Sequence, residues 1–149
     1  MSGMVSRWVV AQEHPVTDAD LDESGLVSDD ALRRWVTAAR RAYLERCDTL
    51  HRTAAESGLV VTEESGRLPA AAMLGRATDV LVTASATEVR PQSFTITVRV
   101  RPGGGDRDTP VNVPCVVSLT DGVGGARHEL GRQIRDELIA LEHSAAHFN

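Results

Sequence analysis

The sequence predicts an α+β fold, in which an antiparallel sheet wraps around one long central helix and a second helix closes the chain. Two observations predict this class. Apolar residues recur at threes and fours through residues 28–58, which is typical of a helix that lies against a sheet. After that helix come segments that alternate apolar and polar side chains, and the hairpins between them favour antiparallel pairing.

Residues 1–149 are expected to form a single domain, because a chain of this length can enclose its own core. The formal net charge of −5 argues against a nucleic-acid partner. No segment has the pattern of a signal peptide or approaches the ~20 apolar residues of a membrane span, so we expect a cytoplasmic protein without membrane contact. Cys47 and Cys115 lie in apolar patterns and are expected to be buried free thiols.

The N-terminal half is predicted to contain one strand and the long helix. The strand covers residues 7–13 and ends near His14. Ser28 opens the helix, because its side-chain oxygen can cap the free N–H groups of the first turn. Gly58 is the predicted stop. One dense basic stretch falls within this helix and is interpreted as its solvated face: Arg33, Arg34, Arg40, Arg41 and Arg46.

The C-terminal half is predicted to be mostly strand. Four strands are expected, over residues 59–62, 79–89, 93–100 and 111–119. Residues 63–77 form an irregular link or an edge strand, and residues 102–110 form a flexible hairpin loop. Pro114 suggests an edge or a bulge in the last strand. Residues 121–125 break the chain before the closing helix, whose apolar stripe consists of Leu130, Ile134, Leu138 and Leu141.

The acidic stretch DADLDESG, residues 18–25, precedes the long helix and admits three interpretations. Asp18, Asp20 and Asp22 have the spacing of the first ligands in a calcium loop, but Glu23 occupies the position of the turn glycine. Alternatively, these carboxylates are surface charges that favour the start of a helix. The third interpretation is catalysis: free N–H groups at a helix start can bind a carbonyl oxygen, while a carboxylate beside them acts as nucleophile or base.

One part of the sequence resembles a known family. Asp20-Leu-Asp22-Glu-Ser-Gly25-Leu-Val27, with Trp35 ten residues after the glycine, is similar to the signature of hotdog-fold acyl-CoA thioesterases of the 4-hydroxybenzoyl-CoA thioesterase type. The helix continues as Trp35-Val-Thr-Ala-Ala-Arg40-Arg-Ala-Tyr43-Leu44, which also resembles that family. The likeness spans roughly residues 5–140, although only the loop and the helix are specific.

Position by position, the resemblance implies that Asp22 is the catalytic aspartate. It also implies that the backbone amide of Asp29 polarises the thioester carbonyl and that Gly25 permits the turn between them. The implied substrate is an acyl-CoA, and the implied assembly is a homodimer or homotetramer with the active sites between subunits. We expect no cofactor and no metal ion. Candidate partners for the CoA phosphates lie on or near the two central strands: Arg90, Arg99 and Arg101.

The sequence departs from the family pattern at the start of the helix, where Ser28, Asp29 and Asp30 stand. Two carboxylates there would oppose negative charge on a bound oxygen unless they point to solvent. This departure supports an alternative function, a non-catalytic hotdog protein that binds acyl-CoA or acyl-carrier protein. A dehydratase of the same fold is a weaker alternative, because no histidine accompanies the acidic loop. His143 and His147 have a spacing compatible with a metal, but no third ligand is evident.

Overall fold

The computed structural model describes residues 8–122 and 125–147. Its strands are β1 (Val10–Pro15), β2 (Val60–Ser65), β3 (Asp79–Arg90), β4 (Ser93–Gly103), β5 (Val111–Thr120) and β6 (Arg127–His128). Its helices are α1 (Asp29–Leu44), α2 (Asp48–Ser57) and α3 (Arg132–His147). Two short 3₁₀ turns, at Asp18–Asp20 and Ala71–Leu74, precede α1 and β3 respectively.

The sheet is antiparallel with the strand order β1-β3-β4-β5-β2. The two-residue strand β6, which the sequence did not predict, pairs with the end of β5 at Leu119 and Thr120. Helix α1 packs against β1, β3 and β4. This arrangement confirms the predicted α+β class, with an antiparallel sheet packed around a central helix.

The predicted core rows match the structure closely. On β4 the alternating residues Phe94, Ile96, Val98 and Val100 are all at most 1% exposed. The facing stripe of α1 is also buried and consists of Ala31, Leu32, Trp35, Val36, Ala39, Tyr43 and Leu44. Removing these side chains from water is the main force that holds the helix on the sheet.

The prediction of one unbroken helix from Ser28 to Gly58 is wrong, because the helix is interrupted between Leu44 and Asp48. The carboxylate of Glu137 on α3 accepts the N–H of Thr49 at 2.9 Å, and it thereby caps a new helix start. This cap comes from a residue 88 positions away, which local sequence patterns do not reveal. The predicted stop at Gly58 is correct, since Gly58 has a φ of +66° in the left-handed region.

The strand boundaries shift by a few residues. Strand β1 extends to Pro15, which is tolerated because β1 is an edge strand. Residues 63–77 contain the end of β2 and the second 3₁₀ turn. The predicted edge at Pro114 is confirmed locally. The pairing of β2 with β5 ends at the Ser65–Cys115 pair, so Pro114 is paired with β4 on one side and with no described strand on the other.

The loop between β4 and β5 packs closely on the segment that precedes β3. A Cβ atom added at Gly105 would lie 2.6 Å from the carbonyl oxygen of Arg76, so only glycine fits without a shift of the backbone. The N–H of Thr78 donates to the carbonyl of Gly103 at 2.9 Å. These contacts fix the segment that contains Gly75, whose carbonyl in turn holds the acidic loop through the N–H of Val27.

Both cysteines are buried free thiols, as predicted. Burial, with added repulsion from Glu137 and Asp48, raises the pKa of Cys47 to about 12. Burial also raises the pKa of Cys115. Because the thiolate is the reactive form, we expect a disulfide exchange reagent to label neither thiol in the native protein and to label both after denaturation. Rapid stoichiometric labelling of the folded chain would contradict this prediction.

Candidate functional site

The acidic loop is a tight, internally bonded turn. Leu21 and Val27 form an isolated antiparallel bridge at its base. Between them, the N–H of Asp22 donates to the carbonyl of Leu26 at 2.7 Å, and the N–H of Gly25 donates to the carbonyl of Asp22 at 3.0 Å. Gly25 has a φ of +78°, where a side chain would be strained, so it permits the turn.

Asp20 ties this loop to α1. The Asp20 carboxylate is buried and accepts the N–H and the hydroxyl of Thr17 at 2.9 and 3.1 Å. Its other oxygen pairs with the guanidinium of Arg34 on α1. Its backbone carbonyl accepts the N–H of Ser28. This structural role of Asp20 was not predicted, although Thr17-x-x-Asp20 is a variant of the capping-box pattern that could have revealed it.

The pKa of Asp20 gives a prediction for stability at acid pH. Burial raises this pKa, but the hydrogen bonds from Thr17 and Arg34 outweigh it and hold the pKa below the ordinary value of 3.8. A lowered folded pKa contributes stability above pH 3.8 that is lost as the pH falls through the folded value. We therefore expect Asp20→Asn to lower the free energy of unfolding at neutral pH and to flatten its decline at acid pH.

Urea unfolding of the wild type and of Asp20→Asn, at several values between about pH 7 and about pH 3, measures this difference. The matched control is Asp18→Asn, because Asp18 is exposed in the same 3₁₀ turn. If the free energy of unfolding of both variants depends on pH as that of the wild type does, Asp20 does not contribute to stability through its lowered pKa.

Asp22 is exposed, but its carboxylate is held in place. One oxygen, Oδ1, accepts the N–H groups of Ser24 at 2.8 Å and Leu26 at 3.1 Å. The second oxygen, Oδ2, has no hydrogen-bond donor within the part of the chain that the structure describes. The turn thus orients the carboxylate and leaves one oxygen available for chemistry or for solvent.

The first turn of α1 follows directly. Ser28 caps it as predicted, its hydroxyl accepting the N–H of Ala31 at 3.2 Å. The backbone N–H groups of Asp29 and Asp30 have no acceptor among the described residues. Their side chains are both engaged: Asp29 accepts the N–H of Ala71 at 3.0 Å, and Asp30 pairs with Arg33 at 3.0 Å. The helix start can therefore still offer free N–H groups to a ligand oxygen.

Two adjoining cavities lie beside the N-terminal half of α1, and we call them together the α1 groove. They have Arg33 and Leu68 in common. The larger, about 760 Å³, is lined by Asp29, Arg33, Arg67, Leu68, Pro69, Ala70 and Asn112. The smaller, about 370 Å³, is lined by Arg33, Val36, Thr37, Arg40, Ser65, Gly66, Leu68 and Val113. The groove thus combines arginines with aliphatic side chains. It lies next to Asp29, whose backbone amide is expected to polarise the thioester carbonyl.

The three arginines predicted to bind phosphates are not brought together. Arg90 lies at the end of β3 and pairs with Glu88. Arg99 and Arg101 lie on the face of β4 opposite the buried row, near the other end of the same ladder. Eight residues of strand separate the register positions of Arg90 and Arg101, which is roughly 26 Å. None of the three lines the α1 groove, where Arg33, Arg40 and Arg67 lie instead. No sequence motif marks Arg67.

The dense basic stretch is largely solvent-exposed, as predicted, and three of its five arginines also form ion pairs. Arg34 pairs with Asp20, Arg40 pairs with Glu63, and Arg33 pairs with Asp30.

The structure offers no metal or membrane feature in the residues it describes. Across residues 8–122 and 125–147, no three His, Cys, Asp or Glu side chains are grouped as ligands for a metal ion. The His147 side chain lies outside the described set. None of the helices in this part of the chain is both long and apolar enough to cross a membrane.

Comparison with known proteins identifies the fold. Neither a protein-family model nor a curated protein matches the sequence. Among solved structures, a thioesterase from Thermus thermophilus complexed with coenzyme A and Zn is 24% identical, with a TM-score of 0.57 over 91% of this chain and 96% of that one. The 4-hydroxybenzoyl CoA thioesterase of Pseudomonas sp. strain CBS-3 is 18% identical, with a TM-score of 0.57 over 86% and 97%.

A third similar structure is a 1,4-dihydroxy-2-naphthoyl-CoA thioesterase from Synechocystis, which is 15% identical with a TM-score of 0.52 over 89% of this chain and 97% of that one. All three alignments cover almost the whole of the similar chains, so the likeness is one of complete folds rather than of a shared fragment. The hotdog fold that the sequence resemblance implied is thereby confirmed.

Proposed function

We propose that this hotdog-fold chain hydrolyses an acyl-CoA thioester to a free acid and CoA. The observation that carries the proposal is the junction of the acidic loop and α1. There, a turn orients Asp22 and leads into the first turn of α1; among the described residues, neither Oδ2 of Asp22 nor the N–H groups of Asp29 and Asp30 have a hydrogen-bond partner. The similarity to structures named as thioesterases, two of them as CoA thioesterases, supports the same chemistry.

The proposed reaction assigns a role to each group. The N–H of Asp29 donates to the thioester carbonyl oxygen as that oxygen gains negative charge. Asp22 either attacks the carbonyl carbon, forming an anhydride that water then cleaves, or removes a proton from the water that attacks. The C–S bond breaks in either route. The CoA thiolate leaves and takes up a proton, and the acyl group leaves as a carboxylic acid.

We further propose that the chain assembles as a homodimer or homotetramer and works in the cytoplasm. The outer edges of β1 and β2 pair with no other strand that the structure describes, and such edges favour addition of another strand. Strand β2 also borders the α1 groove through Ser65, so a second copy at this edge would help to enclose the site. Sedimentation equilibrium tests the assembly, and a monomer at catalytic concentrations would contradict it.

A thiol-release screen over short, long and aromatic acyl-CoAs tests the proposed activity. Hydrolysis of at least one substrate at a rate well above the spontaneous rate is the expected result. The buried thiols of Cys47 and Cys115 make a thiol-reactive reporter suitable for this assay. Absence of thiol release across the whole panel would refute the proposal.

A non-catalytic acyl-CoA or acyl-carrier-protein binder is the second candidate. The observation that favours it is that Oδ1 of Asp22 already accepts two N–H groups of its own turn, as a purely structural aspartate would. Saturable binding of acyl-CoAs in calorimetry, without release of thiol, would support this candidate over the hydrolase.

A further inference from the structure

The α1 groove combines two kinds of surface. Arginines and apolar side chains line both cavities: Arg33 and Arg67 with Leu68 in the larger, and Arg33 and Arg40 with Val36 and Val113 in the smaller. A groove that offers both kinds of side chain suits a ligand that carries apolar and anionic groups. Acyl thioesters of CoA belong to this class.

Arg67 differs from the other arginines of the groove in having no ion-pair partner among the described residues. No carboxylate within the described residues forms an ion pair with Arg67, whereas Arg40 pairs with Glu63 at 2.7 Å. The carboxylate of Asp29, also in the groove, accepts a hydrogen bond from the N–H of Ala71. An unpaired guanidinium beside a cavity favours the binding of an anion there.

Arg33 can join Arg67 at small cost. Its partner is Asp30 at 3.0 Å, and the two side chains are 61% and 89% exposed. Water screens such a pair, which contributes little to stability, so the Arg33 guanidinium can turn to a stronger anionic ligand. Two arginines facing one cavity can bind a phosphate or carboxylate group at several oxygens.

The backbone that carries Arg67 is anchored on either side. Ser65 ends β2, and Leu68 packs against the hydrophobic core. Pro69 restricts the backbone immediately after Leu68. These contacts on both sides fix the position of the Arg67 backbone relative to α1.

We propose that Arg67, assisted by Arg33, forms an anion-binding subsite in the α1 groove that selects thioesters with an anionic group. This inference rests on the proposed function, since it concerns the substrate of the same site. Two sources can supply the anionic oxygens: the phosphates of CoA and a carboxylate on the acyl group. Both are bound by guanidinium through bidentate, charge-assisted hydrogen bonds.

Calorimetric titration with CoA tests the subsite independently of turnover. The variants are Arg67→Gln and the double variant with Arg33→Gln, which remove charge but retain most of the side chain. Arg132→Gln is the matched control, because Arg132 is exposed on α3 away from the groove. If the CoA phosphates are the anion, Arg67→Gln is expected to weaken CoA binding about 10-fold, and the double variant more.

Kinetics with four thioesters separate the two sources. Hexanoyl and adipoyl groups are each presented on CoA and on N-acetylcysteamine, which lacks phosphates. If Arg67→Gln lowers kcat/KM about 10-fold relative to the wild type for the two CoA thioesters only, phosphate is the anion. A similar loss confined to the two adipoyl thioesters identifies the acyl carboxylate.

The outcomes distinguish this inference from the proposed hydrolysis. A wild-type protein that releases no thiol, but whose CoA binding depends on Arg67, would refute hydrolysis and retain the subsite. A double variant that matches Arg132→Gln in CoA binding and on all four substrates would overturn the subsite while hydrolysis stands. A wild type that neither binds CoA nor cleaves any of the four thioesters overturns both.

Discussion

Asp22→Asn is expected to lower turnover of a good acyl-CoA substrate by about 10²- to 10⁴-fold, the range that positioned acid–base groups contribute. The amide cannot take a proton from water and is a poor nucleophile, so both proposed routes fail together. The backbone amide of Asp29 is unchanged by the substitution, and it should still bind the carbonyl oxygen. The value of KM should therefore change less than kcat.

The substitution should leave the fold intact. Asparagine retains an Oδ1 atom that can accept the N–H groups of Ser24 and Leu26, so the turn keeps its internal bonds. Glu23→Gln is a suitable control, because Glu23 is an exposed carboxylate on the same turn. Undiminished turnover by a folded Asp22→Asn protein would end the assignment of Asp22 as the reacting group.

Glu142→Ala is expected to lower the free energy of unfolding by about 2–5 kcal/mol, because it leaves two hydrogen-bond donors without a partner. Oε2 of Glu142 on α3 accepts the hydroxyl of Tyr43 at 2.6 Å and the N–H of Ala86 at 2.9 Å. Tyr43 is completely buried. Burial and the hydrogen bond to Glu142 raise the pKa of Tyr43, so the hydroxyl keeps its proton and remains a donor.

Two further variants make the measurement specific. Glu142→Gln keeps an oxygen that can accept both donors, and it should retain most of the stability lost in Glu142→Ala. Glu56→Ala removes an exposed carboxylate from α2 and should change stability by less than about 0.5 kcal/mol. Urea unfolding followed by circular dichroism provides the comparison. Equal stability of the alanine and glutamine variants at position 142 would show that the hydrogen bonds contribute nothing.

Local patterns predicted those parts of the fold that local physics determines. The alternation on β4, the apolar stripe of α1 and the serine cap at residue 28 all follow from the sequence, because burial and capping act over a few residues. The interruption after Leu44 did not, since it depends on a carboxylate supplied by α3. The sixth strand was missed because two residues carry too little pattern to detect.

The candidate site was predictable to a similar degree. The family resemblance implied the turn at Gly25, and the positive φ of Gly25 agrees with it. The burial of Asp20 depends on Arg34, which lies fourteen positions away on another element. The proximity of Arg67 to α1 likewise depends on the path of an irregular link, so composition and periodicity alone could not indicate it.

Both long-range carboxylate contacts described above, from Glu137 to the start of α2 and from Glu142 to Tyr43 and Ala86, originate on α3. Because α3 follows the other described elements along the chain, a nascent polypeptide acquires these contacts only after α3 leaves the ribosome. Until then, the start of α2 and the Tyr43 hydroxyl have no such acceptors. The start of α2 and the buried Tyr43 hydroxyl are therefore among the last groups of the described fold to be satisfied during synthesis.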